Sequence, residues 1–279
     1  MVGRREIDSN NKFEALIRWY LGNNRWGYVT DHESRIINIS SFKKAPTSEL
    51  LVANLPETIF PGALKNLFEL IENDSTDHFN EKKIVLDKAS LLVALANNYT
   101  IVSNIENVLE VAIARCDQES MHTESVFLTR ILTDEQGHNQ LIENDVKGLG
   151  ISLSKLMAGT QRNAAEALVA LLGRLARGRE PVAVLGVGYL LESNALTLDK
   201  KFFRSYELLV PEMKQAQSFF NVHSASGEEA KHFDLLLSFL ISLETKQLEA
   251  VISAYEQAVK ILAEYPSPSL LADVKLLKS

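Results

Sequence analysis

The sequence predicts an all-α protein, and three observations carry that prediction. Apolar residues recur at three- and four-residue spacing through most of the chain, the signature of helices with one buried face. Prolines and glycines fall at the edges of those segments, where they start or stop helices. Outside the stretch Gly22–Ser41 there is little of the β-branched, period-two alternation of strands. Roughly nine such segments with little strand signal predict a helical bundle.

Taken in order, Lys12–Leu21 is amphipathic, with Phe13, Leu16, Ile17 and Tyr20 at helical spacing. Trp26–Thr30 and Arg35–Ser40 are the exception and suit a short hairpin or an irregular excursion. Thr47–Leu55 reads as a short helix stopped by Pro56, and Pro61 opens Gly62–Ile71 in the position proline favours. After the polar stretch Asp74–Asn80, two helical patterns, Glu81–Ala96 and Thr100–Ala114, are separated by Asn97 and Asn98. Ser120–Lys147 reads as one helix with Leu128, Ile131, Leu132, Ile142 and Val146 on its apolar face, ended by Gly148 and Gly150. Gln161–Arg177, Val182–Leu196 (opened by Pro181) and Lys200–Val210 follow, and Met213–Phe220 leads to a further helix beginning near Ser226. Leu243–Tyr265 is long and amphipathic, and a short tail helix follows Pro266 and Pro268. No repeat, low-complexity tract or long linker divides the chain. The expected organisation is an N-terminal extension, residues 1–80, packed on a bundle of residues 81–279, together one compact domain.

Composition narrows the function. Hydrophobic residues make up 46% and charged residues 23%, ordinary for a globular protein that buries a large core. The formal charge is −7 and the one short basic cluster is Arg174–Arg179, which argues against nucleic acid and anionic membranes as partners. The single cysteine, Cys116, excludes a disulfide framework and a cysteine-based zinc site, and suits a reducing cytoplasm. MVGRREIDSNN contains no apolar core of a signal peptide, and no apolar run reaches membrane-spanning length.

Three places carry candidate metal ligands. Glu135 and His138 (DEQGH) are three residues apart, about 60° around a helix, on the face of Ile131, Ile142 and Val146. A carboxylate and an imidazole in an apolar stripe must be paired, hydrogen-bonded or metal-bound, because burying them bare costs several kcal/mol. The plain alternative is a Glu–His hydrogen bond or a wet cleft. Glu192 is the one charged residue in PVAVLGVGYLLESNA, a helix apolar all round and therefore buried. Such a carboxylate points inward and seeks a cation, unless its place near the helix end lets it reach solvent. Gly186 and Gly188 on the same helix would admit a neighbouring helix closely. The third place is His223–His232 (HSASGEEAKH), where Ser226 and Glu229 have capping-box spacing and His232 shares a face with Leu235 and Leu236. Glu228 lies one turn before His232, and Glu229 is the alternative acid; a solvated helix start is the plain reading.

ILTDEQGHNQLIENDVKGLGI, GYLLESNAL and FFNVHSASGEEAKHFDLL, in this order, resemble the three ligand segments of the heme-oxygenase-like di-iron oxidases and oxygenases. That family shares its all-helical fold with the TenA proteins and the pyrroloquinoline quinone synthases. The resemblance spans about residues 90–245. It implies iron, as two ions or one, held by Glu135, His138, Glu192, His223, Glu228 (or Glu229) and His232, with O2 as co-substrate. It also implies oxidation of a small carboxylate- or amine-bearing molecule, by oxidative decarboxylation, C–C cleavage or N-oxygenation. The sequence departs from the family in two ways: a glutamate stands where members usually carry aspartate, and the gap from His223 to that acid is longer. The Glu-x-x-His spacing is more like the branch that decarboxylates medium-chain fatty acids. Phe219, Phe220, Tyr189 and Tyr206 are candidates for the pocket wall, and Arg204 for a substrate carboxylate. A homodimer is a candidate assembly. The rival readings are a metal-free TenA-like pocket protein, whose hydrolytic form would require Cys116 as nucleophile, and a non-catalytic helical scaffold.

Overall fold

A computed structural model of the chain describes residues 17–22, 25–30, 33–38, 61–76, 88–197, 211–222 and 228–265. The chain divides into two compact units, residues 1–77 with 238–245, and residues 78–237 with 246–279.

The first unit contains a three-stranded antiparallel sheet in the order β1 (Ile17–Gly22), β2 (Arg25–Val29), β3 (Ser34–Asn38). Ile17 pairs with Val29 and Arg25 with Asn38. β2 and β3 fall where the hairpin was expected. β1 overturns the helix expected over Lys12–Leu21 in its described part. IRWYL satisfies both periods: residues 17, 19 and 21 alternate, and Trp19 and Leu21 are buried. β-branched and aromatic side chains beside a partner strand then favour the extended form. Helix α1 (Pro61–Thr76) packs on the sheet through Leu64, Leu67, Phe68 and Ile71, all fully buried. Pro61 opens it as expected. A Cβ at Gly27 would lie 2.8 Å from Leu70 Cδ2, so the glycine lets sheet and helix meet. Arg25 bonds Asp74 at 2.6 Å, and Asn66 donates to the Thr30 carbonyl at 3.0 Å.

The second unit is helical in its described residues. Its axis is α2 (Lys88–Gln118), which packs against α3 (His122–Glu135), α4 (His138–Gly148) and α6 (Asn163–Ala176). Between α4 and α6 lies α5 (Leu153–Ala158), which the sequence reading did not anticipate; Ser152 caps it by accepting from Lys155 N. A 3-10 turn, Pro181–Ala183, leads into α7 (Val184–Thr197); a second, Pro211–Gln215, precedes α8 (Ser218–Val222). Then come α9 (Glu228–Leu240) and α10 (Thr245–Glu264). The expected helices at Thr47–Leu55 and Lys200–Val210 and the tail helix lie outside the described residues. No described helix is long and apolar enough to cross a membrane.

Two helix boundaries differ from expectation. Asn97 and Asn98 do not end a helix, because their side-chain amides donate to the carbonyls of Val93 and Ala94, both at 2.9 Å. Thr100 does the same to Ala96, so the polar residues are satisfied inside one continuous α2. Conversely, the expected helix Ser120–Lys147 is broken. Gly137 adopts φ +85°, a left-handed conformation that interrupts the helix between α3 and α4 at little steric cost. A core of Leu91, Leu95, Ile142, Val146, Leu156 and Phe219 joins α2, α4, α5 and α8.

Candidate functional site

A cavity of about 400 Å³ opens within the second unit, inside the usual range of small-molecule sites. Its wall is mainly apolar, and each helix contributes one face. From α2 come Asn98, Ile101, Val102, Ile105 and Leu109, at helical spacing. From α3 come Phe127, Arg130, Ile131, Asp134 and Glu135. The α7 face is Val184, Leu185, Gly188, Leu191 and Glu192. Phe219 and Phe220 of α8 and His232, Leu235 and Leu236 of α9 complete it, with Leu172 of α6.

Three of the candidate ligands, Glu135, Glu192 and His232, thus line one cavity from three different helices. Glu192 lies where an apolar helix would place it: Val187, Tyr189 and Leu190 around it are buried, and its Oε2 is withdrawn from solvent. His232 lies on the face of Leu235 and Leu236, as the spacing requires, and remains exposed at the cavity edge.

Glu135 and His138 depart from the expected arrangement. They do not share a face of one helix, because Glu135 ends α3 and His138 begins α4, across the break at Gly137. The turn nevertheless brings His138 Nδ1 to 2.9 Å from Glu135 Oε2, both side chains being largely buried. Glu135 reaches the cavity wall, and His138 holds its carboxylate from behind. His223 lies outside the described residues. Glu228 and Glu229 begin α9, but their side chains, like Arg204 and Tyr206, are outside the description. Among the described residues no three His, Cys, Asp or Glu side chains are placed to hold a metal ion.

Of the expected wall residues, Phe219 and Phe220 line the cavity, whereas Tyr189 packs between Phe233 and Tyr255, with ring centroids at 4.8 and 5.8 Å. Cys116 is fully buried and is not among the lining residues. Burial, with Glu124 and Asp117 adding to it, pushes its thiol up to about 12, the reverse of what a nucleophile needs.

Sequence reasoning missed Arg130, Asp134 and Asn98. Reading back from Glu135 in steps of four finds Ile131 and Phe127 of the same wall, but not Arg130 or Asp134. It also missed Asp145, which is buried and accepts from Ser218 N and Phe219 N, both at 3.0 Å. That carboxylate seats the N-terminus of α8 and with it the two phenylalanines of the wall. Gly148, one turn on, lets the Gln215 carbonyl approach to within 2.4 Å of where a Cβ would stand.

No protein-family model and no curated protein sequence matches this chain. Solved structures do. A domain of unknown function with a heme oxygenase-like fold from Shewanella denitrificans superposes with a TM-score of 0.58 at 18% identity, covering 79% of this chain and 96% of its own. A TenA homologue from Pyrococcus furiosus gives a TM-score of 0.48 at 16% identity, covering 72% of this chain and 93% of its own. With the first likeness spanning most of both chains, the helices that build the cavity form a heme oxygenase-like fold.

Proposed function

We propose that the cavity is the active site of an iron-dependent oxidase or oxygenase acting with O2 on a small molecule that has an apolar body and a carboxylate or amine. The observation that carries this reading is the convergence of Glu135, Glu192 and His232, from three helices, on one apolar cavity. The donor chemistry fits iron, which is held in helical bundles by carboxylates and imidazoles. The described donors alone form no three-ligand cluster. Binding therefore calls on Glu228 or Glu229 and on His223 besides Glu135, Glu192 and His232, with His138 orienting Glu135 or ligating. Iron, when bound, supplies the electrons that O2 activation needs.

The chain's own residues supply the rest. The aliphatic and aromatic wall binds the apolar body of the substrate and excludes water. Arg130 is the one lysine or arginine among the described lining residues, and suits a substrate carboxylate. Asp134, one turn along α3, is its counterpart for an amine.

The test is anaerobic titration of the metal-free protein with ferrous iron, then exposure to oxygen with optical detection. One or two irons per chain and a transient visible band support the reading, and Glu192→Ala should abolish both. Iron uptake no greater than background, unchanged by His232→Ala, would leave the second reading, a metal-free pocket protein. That reading is favoured by the absence of a three-donor group among the described residues.

A further inference from the structure

Helix α7 carries two glycines two residues apart, and the structure gives them opposite surroundings. A Cβ at Gly186 would stand 2.1 Å from the Val251 carbonyl oxygen and 2.9 Å from Tyr255 N, so that glycine is required where α10 crosses. A Cβ at Gly188 would meet nothing within 4 Å. Two residues turn a helix by about 200°, so Gly186 belongs to the packed face and Gly188 to the opposite one. That opposite face is the cavity wall, where Val184 and Glu192 lie one turn to either side of Gly188.

Glycine within a helix is disfavoured relative to alanine, because it surrenders more backbone freedom on folding. Positive φ does not account for Gly188; among the described glycines only Gly137 and Gly150 have it. Close backbone packing does not account for it either. What its missing side chain provides is open space at the cavity wall, one helical turn from a carboxylate. We propose that Gly188 determines ligand specificity: the bare α7 backbone seats the apolar body of the ligand, sets its greatest length, and brings the adjoining group to Glu192. The ligand class is a small molecule with an apolar body, which Ile101, Ile105, Leu109 and Phe127 would cover, and a polar end, for which Glu192, Glu135 and Arg130 stand on the same wall. The inference rests on the cavity being a binding site, as proposed above, and is independent of iron.

The test titrates straight-chain alkanols of increasing length, by calorimetry, into the wild-type protein, Gly188→Ala and Gly188→Leu. In the wild type, affinity should rise with length up to a limit. Gly188→Ala should weaken the longest bound alkanol by roughly tenfold, the scale of one methylene in an apolar pocket. It should also raise Tm, since the helix gains alanine and no neighbour is struck. Gly188→Leu should shorten the limit further; if it does not fold, Gly188→Ala decides alone. An unchanged length limit and affinity in the folded variants overturns the proposal while leaving the cavity reading intact. A wild-type protein that binds no alkanol overturns both.

Discussion

Asp145 and Glu192 are both carboxylates on helices of the same unit, Asp145 on the mostly polar α4 and Glu192 on the apolar α7, and they are used in opposite ways. Asp145 is almost wholly buried, and its two oxygens accept from Ser218 N and Phe219 N at 3.0 Å each. Charge-assisted bonds to backbone amides at a helix N-terminus hold an anion well without any metal. Glu192 is half-buried on a cavity wall, with aliphatic neighbours along its helix and an oxygen withdrawn from solvent. The contrast teaches what separates a structural from a functional buried acid. Burial alone does not; what the oxygens face does.

The largest effect should come from breaking the structural member. Asp145→Ala leaves two amides at the start of α8 without their acceptor, and should cost about 3 kcal/mol in urea denaturation. Asp145→Asn keeps one acceptor and should recover part of that loss. Glu192→Gln preserves shape on a wall that already adjoins open space, so its cost should stay under about 1 kcal/mol, while iron uptake is lost. Equal destabilisation by the two substitutions would collapse the distinction.

Glu135 lies between these cases, bonded to His138 on one side and lining the cavity on the other. If it belongs with Glu192, His138 acts as its outer support, and His138→Ala should lower ferrous iron affinity by about 10- to 100-fold. The stability cost of the same change should be below about 1 kcal/mol, since the pair retains some solvent access. A large stability loss with iron affinity untouched would instead place Glu135 with Asp145.

How far the sequence foretold this arrangement depends on the range of the interaction. Glu192 was legible because one charge in an apolar helix announces itself, and His232 because its spacing to Leu235 and Leu236 is local. Pro61 marked its helix start for the same reason. Asp145 was not legible, as its partners lie 73 and 74 residues away in the chain. Gln136–Gly137 and Asn97–Asn98 were misjudged in opposite directions. A left-handed glycine broke a helix whose apolar period continued past it, whereas two asparagines bonded their own helix instead of stopping it. Ile17–Leu21 suited both periods, and strand pairing decided it. The bundle was readable from periodicity, and Phe127 and Ile131 of the cavity's α3 face were readable once Glu135 was taken as its end. The open space at Gly188 was not, because a helical glycine carries no sign of what stands opposite.

Cys116 provides the smallest and last test, a buried ionisable group that neither amides nor a cavity serve. Burial holds its thiol neutral, raising it from an ordinary 9.0 to about 12, with Glu124 and Asp117 opposing the thiolate further. The folded state therefore keeps a proton that the unfolded chain gives up. The stabilisation is fully present below the ordinary value of 9.0 and is lost as pH rises toward about 12. Over that window the wild-type protein should lose stability relative to Cys116→Ala, as read from urea midpoints at matched pH. At neutral pH the native thiol should resist iodoacetamide, and react only after unfolding. Rapid native alkylation would return Cys116 to candidacy as a nucleophile and revive the hydrolase reading, so this quiet residue tests the choice of chemistry as well as the packing of α2.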